Sequence, residues 1–241
     1  MRPAIAIFCL IVAGVVLAAM VSLHTTHPDP LPGETPSPPP AASATPAKTD
    51  PKAAPKGEGD SQAKFDKVRA GAIRASLEIG TETPGKDGKK EFVSKGIIEM
   101  ELYPKAAPKT TAHLMELAGR KFWDGLKVHR VDSQVVQMGD PASKDAEVSD
   151  FESKGIGSHG SGTTVPLEVS AKLPNLQYTV GLARTQDPNS GDSQIYINLV
   201  DNPLFDYDYC VFGRVVKGTD IVGKITRGDV IKHLQIYESK P

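Results

Sequence analysis

Cysteine is scarce in this 241-residue chain: Cys9 lies in the apolar N-terminus, and Cys210 stands alone in the part that should fold. No disulfide can therefore close within the folded part. Excess charge of one sign is missing too. The formal net charge is -1, without the clustered Lys and Arg and high pI of a nucleic-acid footprint, so no nucleic-acid partner is expected. Metal-ligand spacing is absent among His113, His129, His159 and His233. Asp201, Asn202, Asp206 and Asp208 lack the central glycine and terminal glutamate of a calcium loop and read as turn residues. The glycine-rich 155–163 lacks the Gly-Lys-Ser/Thr of a phosphate loop and reads as a mobile loop. Neither metal nor cofactor is expected.

What is present is unevenly distributed. Ten of the 20 prolines fall between Pro28 and Pro55. Residues 24–66 are rich in Pro, Ala, Thr, Ser and Lys and cannot bury enough apolar surface to repay ordering, so they read as a disordered linker. At about 3.1 Å per residue, such a tether could reach on the order of 130 Å. Before it, Arg2 precedes 18 uncharged residues from Ala4 to Val21, long enough for a spanning helix and long for a signal peptide. Residues 1–23 thus read as a membrane anchor through 4–21 or, alternatively, as a cleaved signal. Either reading places the rest of the chain outside the cytoplasm, anchored in the first case and secreted or periplasmic in the second.

Residues 67–241 read as one domain, large enough to bury a core without disulfides or metals. Ile73, Ala75, Leu77 and Ile79 alternate with polar residues, the period of a half-buried strand, and Ile98, Met100 and Leu102 repeat the pattern after a Pro-Gly and Asp-Gly turn. Pro108 opens a helix with Thr111, Leu114 and Ala118 on one face, and Gly119 ends it. Apolar runs at 164–169, 178–184, 194–199 and 209–216 read as further strands. A second short helix is expected at Ile221–Ile225, with Thr219 as its N-cap. So many antiparallel strands must dispose of their edges, which a closed barrel does. The fold class is therefore all-β dominated, a small barrel with two helices.

Several stretches go further. FWDGLKVHRV at 122–131, VVQMGDP at 135–141, TVGLARTQDPNSGDSQIYINL at 179–199 and YCVFG at 209–213 together resemble the cyclophilin family of peptidyl-prolyl isomerases. GIIEMELYPKAAPKTTAHLMELA at 96–118 and TTVPLE at 163–168 also match, in the family's order. The resemblance implies an eight-stranded antiparallel barrel capped by two helices, with the active face on its outside. It implies Arg130 as catalytic arginine, Gln137 as the glutamine that orients it, and Ala183 and Arg184 as substrate-backbone contacts. Gln194 would be a polar wall and Tyr196 the floor of the proline pocket, with Val135 beside it. Tyr209 matches the aromatic or histidine before the CVFG-like strand, and Leu204 or Phe205 falls where the family often has tryptophan or another large apolar residue.

The implied function is a folding catalyst that isomerises X-Pro bonds in proline-containing segments of extracytoplasmic proteins, as a monomer. One departure stands out. The family usually has Pro-Gly-Phe between the HRV and VQ blocks, whereas Asp132-Ser133-Gln134 is one residue shorter and puts Gln134 where a pocket phenylalanine is common. If that amide were buried unpartnered it would cost about 1–3 kcal/mol. The alternative is thus a non-catalytic peptide-binding or chaperone module on the same barrel. For His129, alternation along the strand puts the ring on the face opposite Arg130, as packing.

Overall fold

The computed structural model describes Phe65 and residues 68–237. The apolar run at 4–21 and nearly all of the linker lie outside the described residues. Ten elements follow in order: β1 (Ile73–Pro84), β2 (Lys90–Leu102), α1 (Pro108–Gly119), β3 (Val128–Val131), β4 (Val135–Met138), β5 (Thr179–Leu182), β6 (Ile195–Asn198), β7 (Cys210–Lys217), α2 (Thr219–Val222) and β8 (Val230–Tyr237). The strands form one antiparallel sheet in the order β3-β4-β6-β5-β7-β2-β1-β8.

The two outer strands of that order meet. Lys127, just before β3, bridges to Val230 of β8, while the Val128 amide donates to the Asp229 carbonyl and the Ile231 amide to the Leu126 carbonyl. These contacts curl the sheet toward a barrel and occupy edges that would otherwise present unpaired backbone groups. Ile73, Ala75, Leu77, Ile79, Ile98, Met100 and Leu102 point inward as the alternation requires. Ile97, out of phase, is exposed.

The helices cap the barrel, α1 packing on β8 and α2 on β2. Pro108 opens α1, where its missing N–H costs nothing. The next two helical amides, Lys109 and Thr110, donate to the Glu168 carboxylate at 3.0 and 2.8 Å. That contact corrects one expectation: 164–169 is not a strand but an extended segment with a single bridge, Val165 to Gly191. Pro166 removes a ladder donor, and Glu168 is committed to the helix terminus. The second helix also starts earlier, at Thr219 rather than Ile221. Its cap is Gly218 in the left-handed region at φ +86°, with Thr219 as the first helical residue.

The domain's N-terminal edge moves as well. Phe65, placed in the linker by composition, is 4% exposed and stacks on Tyr103, ring centroids 6.1 Å apart, in a cluster with Leu173 and Val211. Arg69 then donates to the buried Glu101 carboxylate at 2.7 Å. The residues just before β1 are therefore part of the packed domain.

Candidate active site

Strands β4 and β6 pair with Val136 opposite Ile197 and Gln137 opposite Tyr196. Successive side chains on a strand face opposite ways. Val136, Met138, Ile195 and Ile197 therefore join the barrel core, while Val135 and Tyr196 form a separate apolar cluster with Phe205, flanked by Ala183 and Tyr209. This second cluster floors one end of an outer groove of about 580 Å³.

The floor is rigidly supported. Tyr196 meets Phe205 and Tyr209 edge-on, each at 6.1 Å between centroids. Its ring lies against Gly181, where an added Cβ would come within 2.2 Å of Tyr196 Cζ, so only glycine leaves room. Burial pushes the Tyr196 phenol well above its usual pKa, and its hydroxyl donates to Asn175 Oδ1 at 2.7 Å. The same oxygen accepts from Asn198 Nδ2, and Asn202 Nδ2 donates to Asn198 Oδ1 at 2.7 Å. Beneath the pocket thus runs a buried amide network whose members satisfy one another.

The other wall is polar. Arg130 Nη1 donates to Gln137 Oε1 at 3.5 Å, Gln137 Nε2 to Gln194 Oε1 at 2.8 Å, and Gln194 Nε2 to the carbonyls of Gly157 and His159, each at 2.8 Å. On its other side Arg130 Nε donates to Asp132 Oδ2 at 2.7 Å. Burial opposes ionising Asp132, but the amides of Val135 and Gln134 and the Arg130 guanidinium outweigh it and hold the carboxyl below its usual range. The glycine-rich stretch, expected to be a mobile loop, is anchored at this wall. Buried Asp140 accepts from the amides of Gly157 and His159, and Asp192 from those of Ser161 and Gly162.

Arg130, Val135, Gln137, Ala183, Arg184, Gln194, Tyr196, Phe205 and Tyr209 all line the groove, as the sequence pattern places them. Arg184 turns its guanidinium onto the Tyr209 ring, 4.8 Å from the centroid, and donates to the Asp208 and Thr185 carbonyls. Two expected residues are not brought in. Leu204 is 79% exposed outside the groove while its neighbour Phe205 is buried in it, because the 3-10 turn Pro203–Phe205 aims only the last side chain inward. Gln134 is also outside the lining. The shortened β3–β4 turn leaves it half-buried, with its carbonyl accepting from the Leu199 amide, and Val135 takes the pocket position.

His129 is a correction in the other direction. The β3–β4 register shifts between Val128 and Arg130, so His129 is the extra residue of a bulge, and a bulge breaks strict alternation. His129 lines the groove beside Arg130, 6% exposed, with neither ring nitrogen hydrogen-bonded among the described residues. Burial lowers its pKa to about 4, Asp140 pulling the other way and Arg130 and Arg227 adding to the lowering, so the ring is neutral. Asp132 and Asn175 were missed by sequence reasoning. An aspartate opening a two-residue polar turn is a known turn signal that could have flagged Asp132; nothing local marks Asn175.

An antiparallel, barrel-like sheet with an outer groove lined by an aromatic cluster and by guanidinium and amide side chains defines a class of groove-bearing β proteins. Comparison with known proteins gives that class its family. A family model described as cyclophilin type peptidyl-prolyl cis-trans isomerase/CLD matches residues 90–239. A probable peptidyl-prolyl cis-trans isomerase of Brucella suis biovar 1 (strain 1330) is 37% identical over 135 residues, 55% of this chain and 68% of that protein. Peptidyl-prolyl cis-trans isomerase B of Bacillus subtilis (strain 168) is 31% identical over 140 residues, 58% of this chain and 90% of that protein. The crystal structure of a Cryptosporidium parvum cyclophilin type peptidyl-prolyl cis-trans isomerase superimposes with a TM-score of 0.53 at 18% identity, over 70% of this chain and 99% of that one. A further structure of that protein, in the presence of the dipeptide Ala-Pro, gives 0.51 at 17% identity, over 68% and 99%. At such identity these two likenesses speak to the fold. The chain belongs to the cyclophilin type peptidyl-prolyl cis-trans isomerase family and is an isomerase of that class.

Proposed function

We propose that this isomerase acts on X-Pro bonds of extracytoplasmic proteins as a monomeric folding catalyst, with Arg130 as its catalytic donor and Val135, Tyr196, Phe205, Ala183 and Tyr209 as its proline pocket. The observation that carries the site is a single groove lined both by the Arg130 guanidinium, held by Asp132 and Gln137, and by the aromatic cluster of Tyr196, Phe205 and Tyr209. Amide resonance sets a barrier of about 18–20 kcal/mol to rotation, while the two X-Pro isomers differ by only about 0.5–1 kcal/mol. The catalyst must bind the twisted amide more tightly than either planar form. As resonance is lost, the prolyl nitrogen regains a lone pair. A guanidinium N–H of Arg130 donates to it while the pocket holds the ring, and Gln137 and Gln194 hold the wall along which the peptide lies. The Cryptosporidium protein's structure was determined in the presence of the dipeptide Ala-Pro, a proline-containing peptide of the class proposed for this chain.

Placement outside the cytoplasm is supported by the uncharged Ala4–Val21 run behind Arg2. It either stays as the membrane anchor of a long tether or is removed as a signal. The doubt about turnover rested on Gln134 in the pocket, and Gln134 is not among the groove residues.

The test is isomerisation of a short X-Pro peptide by the full chain and by Arg130→Ala. Loss of a preorganised donor typically costs about 2.7–4 kcal/mol, so kcat/KM should fall by about two to three decades with the fold intact. An Arg130→Ala rate equal to wild type would overturn the assignment. For location, mass spectrometry of the native N-terminus separates the two forms: a start within residues 20–27 rules out the anchor.

A further inference from the structure

Gln137 holds Arg130 at 3.5 Å, the outer limit of a hydrogen bond. Asp132 holds it far more closely: Oδ2 accepts from Nε at 2.7 Å and pairs with Nη2 at 2.5 Å. We propose that Asp132 is the positioning residue for Arg130, an inference that rests on Arg130 being the catalytic donor.

The two carboxylate oxygens divide the work. Oδ1 accepts from the amides of Gln134 and Val135 at 2.8 and 2.9 Å and so closes the turn between β3 and β4. Oδ2 takes the side edge of the guanidinium. Because the carboxylate is planar and one oxygen is fixed by two backbone amides, the other cannot swing, and the turn itself sets where Arg130 is held. Of the five guanidinium N–H groups, the one on Nε goes to Asp132 and one on Nη1 to Gln137, while Nη2 is ion-paired with the same Asp132 oxygen. The other Nη N–H groups carry no hydrogen bond among the described residues and are left for a substrate. Asp132 thereby removes the wandering of a long side chain before substrate arrives, which is where a preorganised donor gains its advantage. The same turn carries Val135 into the proline pocket, so one aspartate registers both the donor and the floor it works against.

Asp132→Asn separates the two tasks, since the amide oxygen can still accept from the turn amides while its NH2 group cannot accept from Arg130. Steady-state isomerisation of a short X-Pro peptide by the full chain should show kcat reduced about tenfold, equivalent to about 1.4 kcal/mol in the barrier. KM should stay within about twofold of wild type, because ground-state contacts are untouched. By NMR, the Arg130 Nε proton should be protected from solvent exchange in the wild type and lose that protection in the variant. If Asp132→Asn fails to fold, Asp132→Ser, whose hydroxyl can also accept from the turn amides, gives the same reading. Wild-type kcat in the folded variant, with Arg130→Ala inactive, would overturn the positioning role. Full activity in Arg130→Ala would instead overturn the catalytic assignment beneath it.

Discussion

Strands β4 and β6 have two faces that differ in kind although they share one backbone. Inward, Val136, Met138, Ile195 and Ile197 are buried apolar side chains of the barrel core. Outward, Val135, Gln137 and Tyr196 build the groove, with Gln194 just ahead of β6. The inner face is held by packing, which tolerates exchange of similar shapes. The outer face is held by directed contacts, from Arg130 through Gln137 and Gln194 to the loop carbonyls. Because the side-chain period is two, a one-residue slip would exchange the faces and destroy both. Fold and site are thus specified by alternate letters of the same short words.

That division can be attacked from either side. The largest stability effect should come from the inner face: Ile197→Ala should cost about 2–5 kcal/mol in denaturant unfolding, with kcat/KM per folded molecule unchanged. A changed kcat/KM in fully folded Ile197→Ala would show that the faces are not independent. Next comes His129, buried neutral on the groove side with a pKa near 4. The unfolded chain binds this proton near pH 6.5, so stability should be full above that value and fall as the pH drops, levelling off near pH 4. The total is about 3 kcal/mol. His129→Gln should remove that part of the slope in stability measured against pH, and an unaltered slope would assign the proton elsewhere. Smallest is the support beneath the pocket. Asn175→Ala leaves the Tyr196 hydroxyl without its acceptor and should cost about 1–3 kcal/mol. In a Tyr196→Phe background the penalty should shrink, a coupling that a double-mutant cycle reads directly.

Much of this architecture was legible from sequence because it rests on local periodicity. The alternation from Ile73 to Ile79 and from Ile98 to Leu102 placed two strands with the correct face inward, and Pro108 marked the start of α1. Nine of the eleven candidate site positions line one groove, because motif order fixes strand order and strand order fixes the groove. The misses share a cause, which is that a long-range contact or a break in register outvoted the local pattern. The bulge at His129 broke the alternation that would have set its ring opposite Arg130. Glu168 left a strand-like run to cap α1 from 58 residues away. The shortened turn moved Gln134 off the pocket, and Asn175 reaches Tyr196 across 21 residues of chain. None of these can be read from neighbours in sequence.

Phe65 and Arg69 have a mechanical consequence. A pull on the chain from its N-terminal side loads the Phe65 ring on Tyr103 first and the Arg69–Glu101 pair second. Only then does force reach β1, which lies between β2 and β8 and is laddered to both. Drawn along its own length, that strand must shear many hydrogen bonds at once rather than unzip them singly. The two residues act as a strain relief just ahead of β1, taking load before the strand does.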